Sequence, residues 1–382
     1  MRVTVVGGGI VGCAIAHELI VRGARVQVVD PRGVGRGATQ ASAGILAPYI
    51  EGHIPALLRL GLSSLALYEE FVERVRAEAR TPFEYERCGT MQVALTDDET
   101  SDLAAMAREL GDRGEAHALV DAREARRLEP ALSDRVVGAL LVPRHGYVTA
   151  AALTSALAEA ATAQGATFSS ARAIEITETG ESVRLVTSDQ AIDSDVVILA
   201  AGSWSSHIDT RGAGPGLWTR RQTAGGGLHA SATPIVQPIR GQLVHLGTAS
   251  RAASRVVWRG QCYLVPWRDG SVLVGATVDD VGFDERATAG GVRCLLDAAI
   301  ELIPALDRAA LREVRVGLRP GTPDELPIIG GSSTMRNVCY ATGHYRSGVL
   351  LAPLTAAMVA DLVIDGRVRP ESALVRPDRF GL

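Results

Sequence analysis

Cysteine, surplus charge and long apolar runs are all scarce in this chain, and each scarcity closes off a class of protein. The five cysteines (Cys13, Cys88, Cys262, Cys294, Cys339) among 382 residues are odd in number and widely scattered. With no C-x-x-C pair and no histidine at metal-ligand spacing, they indicate neither a disulfide framework nor a metal site. They read as reduced, mostly buried thiols of a cytoplasmic protein. Lys+Arg 39 against Asp+Glu 43 leaves a formal charge of -4, too little of either sign for a nucleic-acid-binding face or a disordered tail. The longest apolar stretch, Gly348 to Ala360, holds Pro353 and Thr355 and falls short of the ~18 residues of a membrane span. Met1-Arg2 leads at once into a strand-like run, without the basic, apolar and small-residue segments of a secretory signal. What is present, 47% hydrophobic and 21% charged residues, is the balance of a soluble globular protein with chain enough for two to three domains at about 150 residues each.

The first 30 residues carry the strongest local signal. Arg2 to Val6 is β-branched and apolar, Gly7 to Gly12 is a glycine-rich turn, Cys13 to Leu19 has helical periodicity, and Arg25 to Val29 is a second strand ending on Asp30. This βαβ unit implies a parallel sheet. Glycines at 7, 9 and 12 permit the tight turn, the approach of a pyrophosphate and close helix packing, and the helix-start amides face its charge. Asp30 is placed to accept hydrogen bonds from ribose hydroxyls, which disfavours a 2'-phosphate and hence NADP. The loop alone does not choose between FAD and NAD.

Farther on, a long helix or a broken pair is expected at Ile54 to Arg80, helices at Asp97 to Leu110, Ala150 to Gln164 and Gly291 to Ile303, and strands at Gly89 to Leu95 and around Ile174 and Val183. The unbroken apolar run Asp195 to Gly202 marks a strand buried on both faces. Arg211 to Gly227 reads as an exposed loop or a crossing between domains. Short strands at Gly241 to Leu246, Val256 to Trp258, Cys262 to Val265 and Ser271 to Val274 suggest an antiparallel sheet. Val338 to Thr342 is a further buried strand, and a helix of about four turns is expected from Val349 to Ile364.

Six further motifs extend the pattern: Ala38 to Leu46 (ATQASAGIL), Leu199 to Gly202, Tyr263 to Pro266, Gly275 to Thr277, Gly317 to Asp324 (GLRPGTPD) and Gly343 to Gly348 (GHYRSG). With the glycine loop, and in this order, they make essentially the whole chain resemble the glycine oxidase branch of the D-amino acid oxidase/sarcosine oxidase family of flavoproteins. The resemblance implies an α/β fold. A Rossmann-like, glutathione-reductase-like FAD-binding domain (residues 1–80, 141–215 and 317–382) is expected to interleave with a mixed antiparallel-sheet substrate domain (81–140 and 216–316). It implies noncovalent FAD, with Gly7, Gly9, Ile10, Val11, Gly12, Asp30, Pro31, Ala38, Thr39, Ser42, Ala43, Gly44, Ile45, Ala173, Ala201, Gly202, Gly343, His344, Tyr345, Arg346, Ser347, Gly348, Val349 and Leu350 as cofactor-binding positions. Ser347 stands where the branch usually has Asn. The very small residues Ser42-Ala43-Gly44 would let backbone touch the flavin ring, and the amides after Gly343 would stabilise negative charge at its N1 and C2 carbonyl edge.

For the substrate, the resemblance places Arg319 and Arg346 on the carboxylate, Arg319 foremost, with Tyr263 donating its hydroxyl and Val278 alongside. Arginine suits this task, because its planar fork gives two parallel charge-assisted bonds and fixes orientation in a desolvated site. Glu51 and His53 follow the flavin-facing motif and are read as surface positions. No general base stands out, so the implied chemistry is hydride transfer from Cα to flavin N5 with positioning supplied by the protein. The implied reaction takes glycine, and secondarily sarcosine and small D-amino acids, with water and oxygen to glyoxylate, ammonia and hydrogen peroxide, supplying the thiazole ring of thiamine. A homo-oligomer, of the homotetramer kind, is implied, with no nucleic-acid or membrane partner. Three alternatives stay open: a D-amino acid dehydrogenase with another electron acceptor, a sarcosine oxidase with cysteine-linked flavin (Cys339 being the nearest thiol), and a flavin-binding protein without catalysis.

Overall fold

A computed structural model of the chain describes residues 1–210, 217–219 and 233–382. The loop or crossing expected at Arg211 to Gly227 therefore lies almost wholly outside the described residues. The first strand, Arg2–Val6, pairs in parallel with Arg25–Val29 on one side and Val196–Leu199 on the other. The sheet they begin has six strands in the order Ile328–Gly331, Val338–Thr342, Val196–Leu199, Arg2–Val6, Arg25–Val29, Thr167–Ser169. All pairs are parallel except that of the edge strand Ile328–Gly331. The helix Ile10–Val21 is apolar almost all round and buried at most positions through Leu19, so it must lie inside the protein. It packs between the helices Ala150–Ala163 and Gly348–Asp365.

Gly348–Asp365 corrects one expectation. At 18 residues it is long and apolar enough to cross a membrane, where the sequence suggested a shorter run. Two thirds of it is buried within the protein, against Ile10–Val21 and the long helix Pro55–Glu78, which accounts for its composition as that of a core helix. Its last turn is tied down by charge: Asp361 accepts from Arg22 and from Arg369, each at 2.6 Å.

The second large sheet has eight strands, ordered Ala310–Gly321, Gln237–Gly247, Val272–Gly275, Cys262–Pro266, Val256–Arg259, Thr90–Ala94, Gly138–Val142, Ala118–Asp121. It is antiparallel except where Val256–Arg259 runs parallel to Thr90–Ala94. The motif around Arg319 thus lies on a strand, Ala310–Gly321, which pairs along its whole length with Gln237–Gly247. This strand and Gly138–Val142 run across the expected boundaries at 316 and 140. One face of the sheet packs on the helix Ala289–Leu302. The other, through Leu243, Trp258 and Val265, packs on Ala41, Ala43 and Ile45. Between the two sheets, beyond the carboxyl ends of the parallel strands, runs a cavity of about 870 Å³, the place where open parallel sheets take ligands.

Candidate active site

At one end of the cavity the glycine loop is pressed flat. Gly7 has φ +115°, and any side chain there would overlap the Ala200 carbonyl, as one at Gly12 would overlap the Gly7 carbonyl. The first-turn amides of the helix have no intrahelical acceptor. That of Ile10 donates to Thr39 Oγ1 at 3.1 Å, leaving that of Val11, a residue of the cavity wall, for an anion. Asp30 Oδ2 accepts the Gly8 N–H at 2.7 Å and Oδ1 the Arg32 N–H at 2.8 Å. With about four acceptor sites on a carboxylate, Asp30 both clasps the loop and keeps capacity for hydroxyl donors from the cavity.

In the middle, Gly44 (φ +68°) lies so close to Val148 that a side chain would overlap its carbonyl, and its N–H donates to Ser42 Oγ at 3.1 Å. Gly317 brings the Arg319 strand equally near, since a Cβ there would stand 2.8 Å from Ala41 Cβ. His344 is buried, with Nε2 3.0 Å from Thr355 Oγ1. Burial pushes its pKa down to about 3, so the ring is neutral and contributes no positive charge. Any electrostatic help here comes from the start of the helix Gly348–Asp365.

At the far end Arg319, Arg346, Tyr263, Gln261, Trp258 and Glu51 share the wall. Arg319 Nη1 donates to the Thr277 carbonyl at 3.0 Å and the Arg240 carbonyl at 3.4 Å, so the strands aim the fork and leave its other edge free for an anion. Arg346 Nη2 donates to Gln261 Oε1 at 3.2 Å, while its buried Nε has no partner among the described residues. Tyr263 stands with its ring 5.0 Å from that of Trp258, and burial raises its pKa to about 12, so its hydroxyl is a donor. Glu51 is a correction: it ends the short helix Pro48–Glu51 and lines this cavity, half-buried, where a surface position was expected. Its carboxyl is pushed up to about 7 by burial, against the opposing pull of Arg346, Arg319 and His53. Its neighbour His53 is exposed and paired with Glu325.

A profile of the FAD dependent oxidoreductase family matches residues 2–362. The chain belongs to that family. It is 33% identical, over 99% of its own length, to the bifunctional protein ThiO/ThiG of Synechocystis sp., of which it spans about half (54%). It is 32% identical to the glycine oxidase of Geobacillus kaustophilus, covering 94% of this chain and 92% of that protein. The crystal structure of a glycine oxidase from Geobacillus kaustophilus superimposes with a TM-score of 0.88 at 31% identity, over 97% of this chain and 96% of that one. That of the iminodiacetate oxidase from Chelativorans sp. gives 0.86 at 27% identity, over 98% and 99%.

FAD, the cofactor of the FAD dependent oxidoreductases, fits these walls: a loop with no room for a Cβ at Gly7 or Gly12, a free helix-start amide, and a carboxylate with spare acceptor capacity. No cysteine lines the cavity. Cys339 is buried in its strand and Cys262 in the core, which agrees with noncovalent binding. Of the expected cofactor positions, Gly7, Gly9, Ile10, Val11, Asp30, Pro31, Ala38, Thr39, Ser42 to Ile45, Ala173, Ala201, Gly202, His344 to Arg346, Gly348 and Val349 line the cavity. Gly12, Gly343, Ser347 and Leu350 stand behind it. Gly12 supports Gly7, Gly343 turns the chain at φ +74°, the Ser347 N–H donates to the His344 carbonyl, and Leu350 belongs to the helical core. Val278 lies off the cavity and is 44% exposed: beyond the strand Val272–Gly275 the backbone still bonds to Gln242 and Arg240 through Thr277 and Asp279, and the side chain between them faces solvent. Gln261 and Trp258 were missed. Both lie two or more residues from Tyr263 on the strand pair Val256–Arg259 and Cys262–Pro266 and its turn, and only that pairing brings them to the site.

Proposed function

We propose that this FAD dependent oxidoreductase oxidises glycine, and secondarily sarcosine and small D-amino acids, to glyoxylate with release of ammonia and hydrogen peroxide. The observation that carries it is Arg319, a guanidinium fixed by two backbone carbonyls beside a protonated Tyr263 at the end of a flavin-sized cavity. A substrate carboxylate laid on the free edge of Arg319 and on the Tyr263 hydroxyl would be held in one orientation, with Arg346 closing from the Gln261 side. Trp258 and the Tyr263 ring narrow this end and exclude water, which favours a small side chain and strengthens each ionic contact. FAD held along the cavity by the glycine loop, Asp30 and the Ser42 to Gly44 stretch would supply the two-electron oxidation. The protein's part is to hold the carboxylate, present Cα, and keep the glycine-lined middle of the cavity open to a flat ring.

The relatives support the substrate: the glycine oxidase of Geobacillus kaustophilus is matched over nearly its whole length in sequence and in structure. Supply of the thiazole ring of thiamine rests on the ThiO/ThiG relatives, of which the chain spans half. In this proposal residues 1–80, 141–215 and 317–382 hold the cofactor, residues 81–140 and 216–316 cover the substrate, and the protein works in the cytoplasm, where its five free thiols would stay reduced, as a homo-oligomer. An anaerobic absorption spectrum before and after glycine, sarcosine, D-alanine and D-proline tests it. Bleaching by glycine, recolouring in air and peroxide formation are expected. Bleaching without rapid recolouring would replace oxygen by another acceptor, and no bleaching by any amino acid would remove the oxidase assignment.

A further inference from the structure

Among the described residues, the substrate end of the cavity carries two arginines, Arg319 and Arg346, and a single carboxylate, Glu51. Arg319 and Arg346 suit a substrate carboxylate, but an amino acid in water is a zwitterion whose ammonium also has to be desolvated. Glu51 lines the same wall, and its carboxylate accepts no hydrogen bond from any described residue. Asp30, the other acid on the cavity wall, is engaged with Gly8 and Arg32 far off at the glycine loop. An unengaged acid at this place, beside two cations that would hold the other charge of the zwitterion, complements the substrate at both ends.

We propose that Glu51 receives the substrate ammonium and removes one proton from it before oxidation. The inference rests on the amino acid oxidase assignment above. In the step, an N–H bond of the ammonium breaks with its electron pair left on nitrogen, and an O–H bond forms on the Glu51 carboxylate. The products are a neutral amine and a carboxylic acid, with no electrons exchanged. The lone pair so freed is what assists departure of hydride from Cα, and a bound ammonium has none to give. The groups facing Glu51 are Arg346, Arg319, Tyr263 and His53, the last paired with Glu325. Burial holds Glu51 near neutrality against the pull of the cations, a poise that suits a proton acceptor working at neutral pH. The proton then leaves through the cavity mouth, where Glu51 is partly exposed.

The test uses the holoenzyme and its Glu51→Gln variant, with anaerobic flavin bleaching by glycine followed across pH and acetate binding followed by perturbation of the flavin spectrum. Because acetate has the carboxylate and lacks the amine, its affinity should be unchanged. Bleaching at neutral pH should slow about a hundredfold, and the deficit should shrink in alkali as glycine loses its proton unaided. A deficit equal at every pH, an equal loss of acetate affinity, or no deficit overturns the proposal. If Glu51→Gln fails to retain flavin, Glu51→Asp decides: it keeps the acceptor, so a smaller deficit with the same pH dependence is expected and a pH-independent loss is contrary. A wild-type protein that no amino acid bleaches defeats the oxidase assignment and this inference together. A wild type that bleaches alongside an equally fast Glu51→Gln variant defeats only the role of Glu51.

Discussion

Arg319 has one edge of its fork committed to the Thr277 and Arg240 carbonyls, and only the planar, five-donor shape lets the remaining edge serve a carboxylate as well. A lysine there would have to choose. Arg319→Lys should therefore keep its flavin but lose about 1.5–3 kcal/mol of transition-state binding, a fall in kcat/KM of about ten- to a hundredfold. Unchanged glycine kinetics would take Arg319 out of the site. Asp30→Ala should lose both the ribose acceptor and the clasp on Gly8, so its FAD occupancy should fall while that of Asp30→Asn, which keeps one acceptor oxygen, falls less. Cofactor content by absorbance after purification checks this, and full occupancy in both variants would place the ribose contact elsewhere. At this scale motif residues such as Gly7, Asp30, Gly44 and Arg319 were legible, because each motif spaces its residues within one turn or strand. Glu51 was not: an acid four residues beyond a flavin-facing strand looks like a solvated one, and only the short helix Pro48–Glu51 turns it inward. Val278 shows the opposite case, since an apolar residue following a core strand suggests burial, whereas its side chain stands on the exposed side of the paired segment.

Among the elements, the strand Ala310–Gly321 shows why some of the fold could not be read locally. Its first half is exposed and charged, so no apolar alternation marks it, and its strand geometry comes from pairing with Gln237–Gly247. That pairing also makes the site. A side chain at Gly241 would overlap the Arg319 guanidinium, which is flexible enough to be displaced where backbone is not. Gly241→Ala should thus raise KM for glycine with flavin content and thermal stability near those of wild type, and a variant that kept its KM would show that the guanidinium has room to spare. The helices Ile10–Val21 and Gly348–Asp365 were legible as helices, though the acid that joins them was not. Burial alone would raise the Asp361 pKa, but its bonds to Arg22 and Arg369 outweigh that and hold it low. A carboxyl lowered on folding stabilises the protein above its unfolded pKa, about 3.9, and that stability is lost as pH falls through the lowered value. Asp361→Asn should cost about 1–3 kcal/mol at neutral pH, and its melting temperature should converge on that of wild type below about pH 4. A gap that persisted in acid would assign the loss to packing.

For the whole molecule, the order of motifs along the chain, through the family resemblance it carries, was enough to foresee one parallel sheet, one largely antiparallel sheet and FAD as the cofactor. The one parallel pairing within the antiparallel sheet, Val256–Arg259 with Thr90–Ala94, was not foreseeable, because its partners are distant in sequence and nothing in either strand encodes direction. The cavity has walls from both sheets: Val6, Val29 and Ala341 on one side, Trp258, Tyr263 and Leu318 on the other. A molecule bound there is part of the interface between the sheets, so FAD should stabilise the native protein as a whole and not only order a loop. A ligand that binds only the folded state adds about 2.7 kcal/mol at a free concentration of about one hundred times its Kd. Protein stripped of flavin should therefore melt several degrees lower, and its melting temperature should climb steadily as FAD is titrated back. Because the glycine loop and Arg319 lie at opposite ends, Asp30→Ala should weaken that climb and Arg319→Lys should leave it intact. A melting temperature indifferent to FAD would mean that the two sheets hold each other without the cofactor. An identical response in the two variants would mean that the ends of the cavity do not divide cofactor from substrate as assigned here.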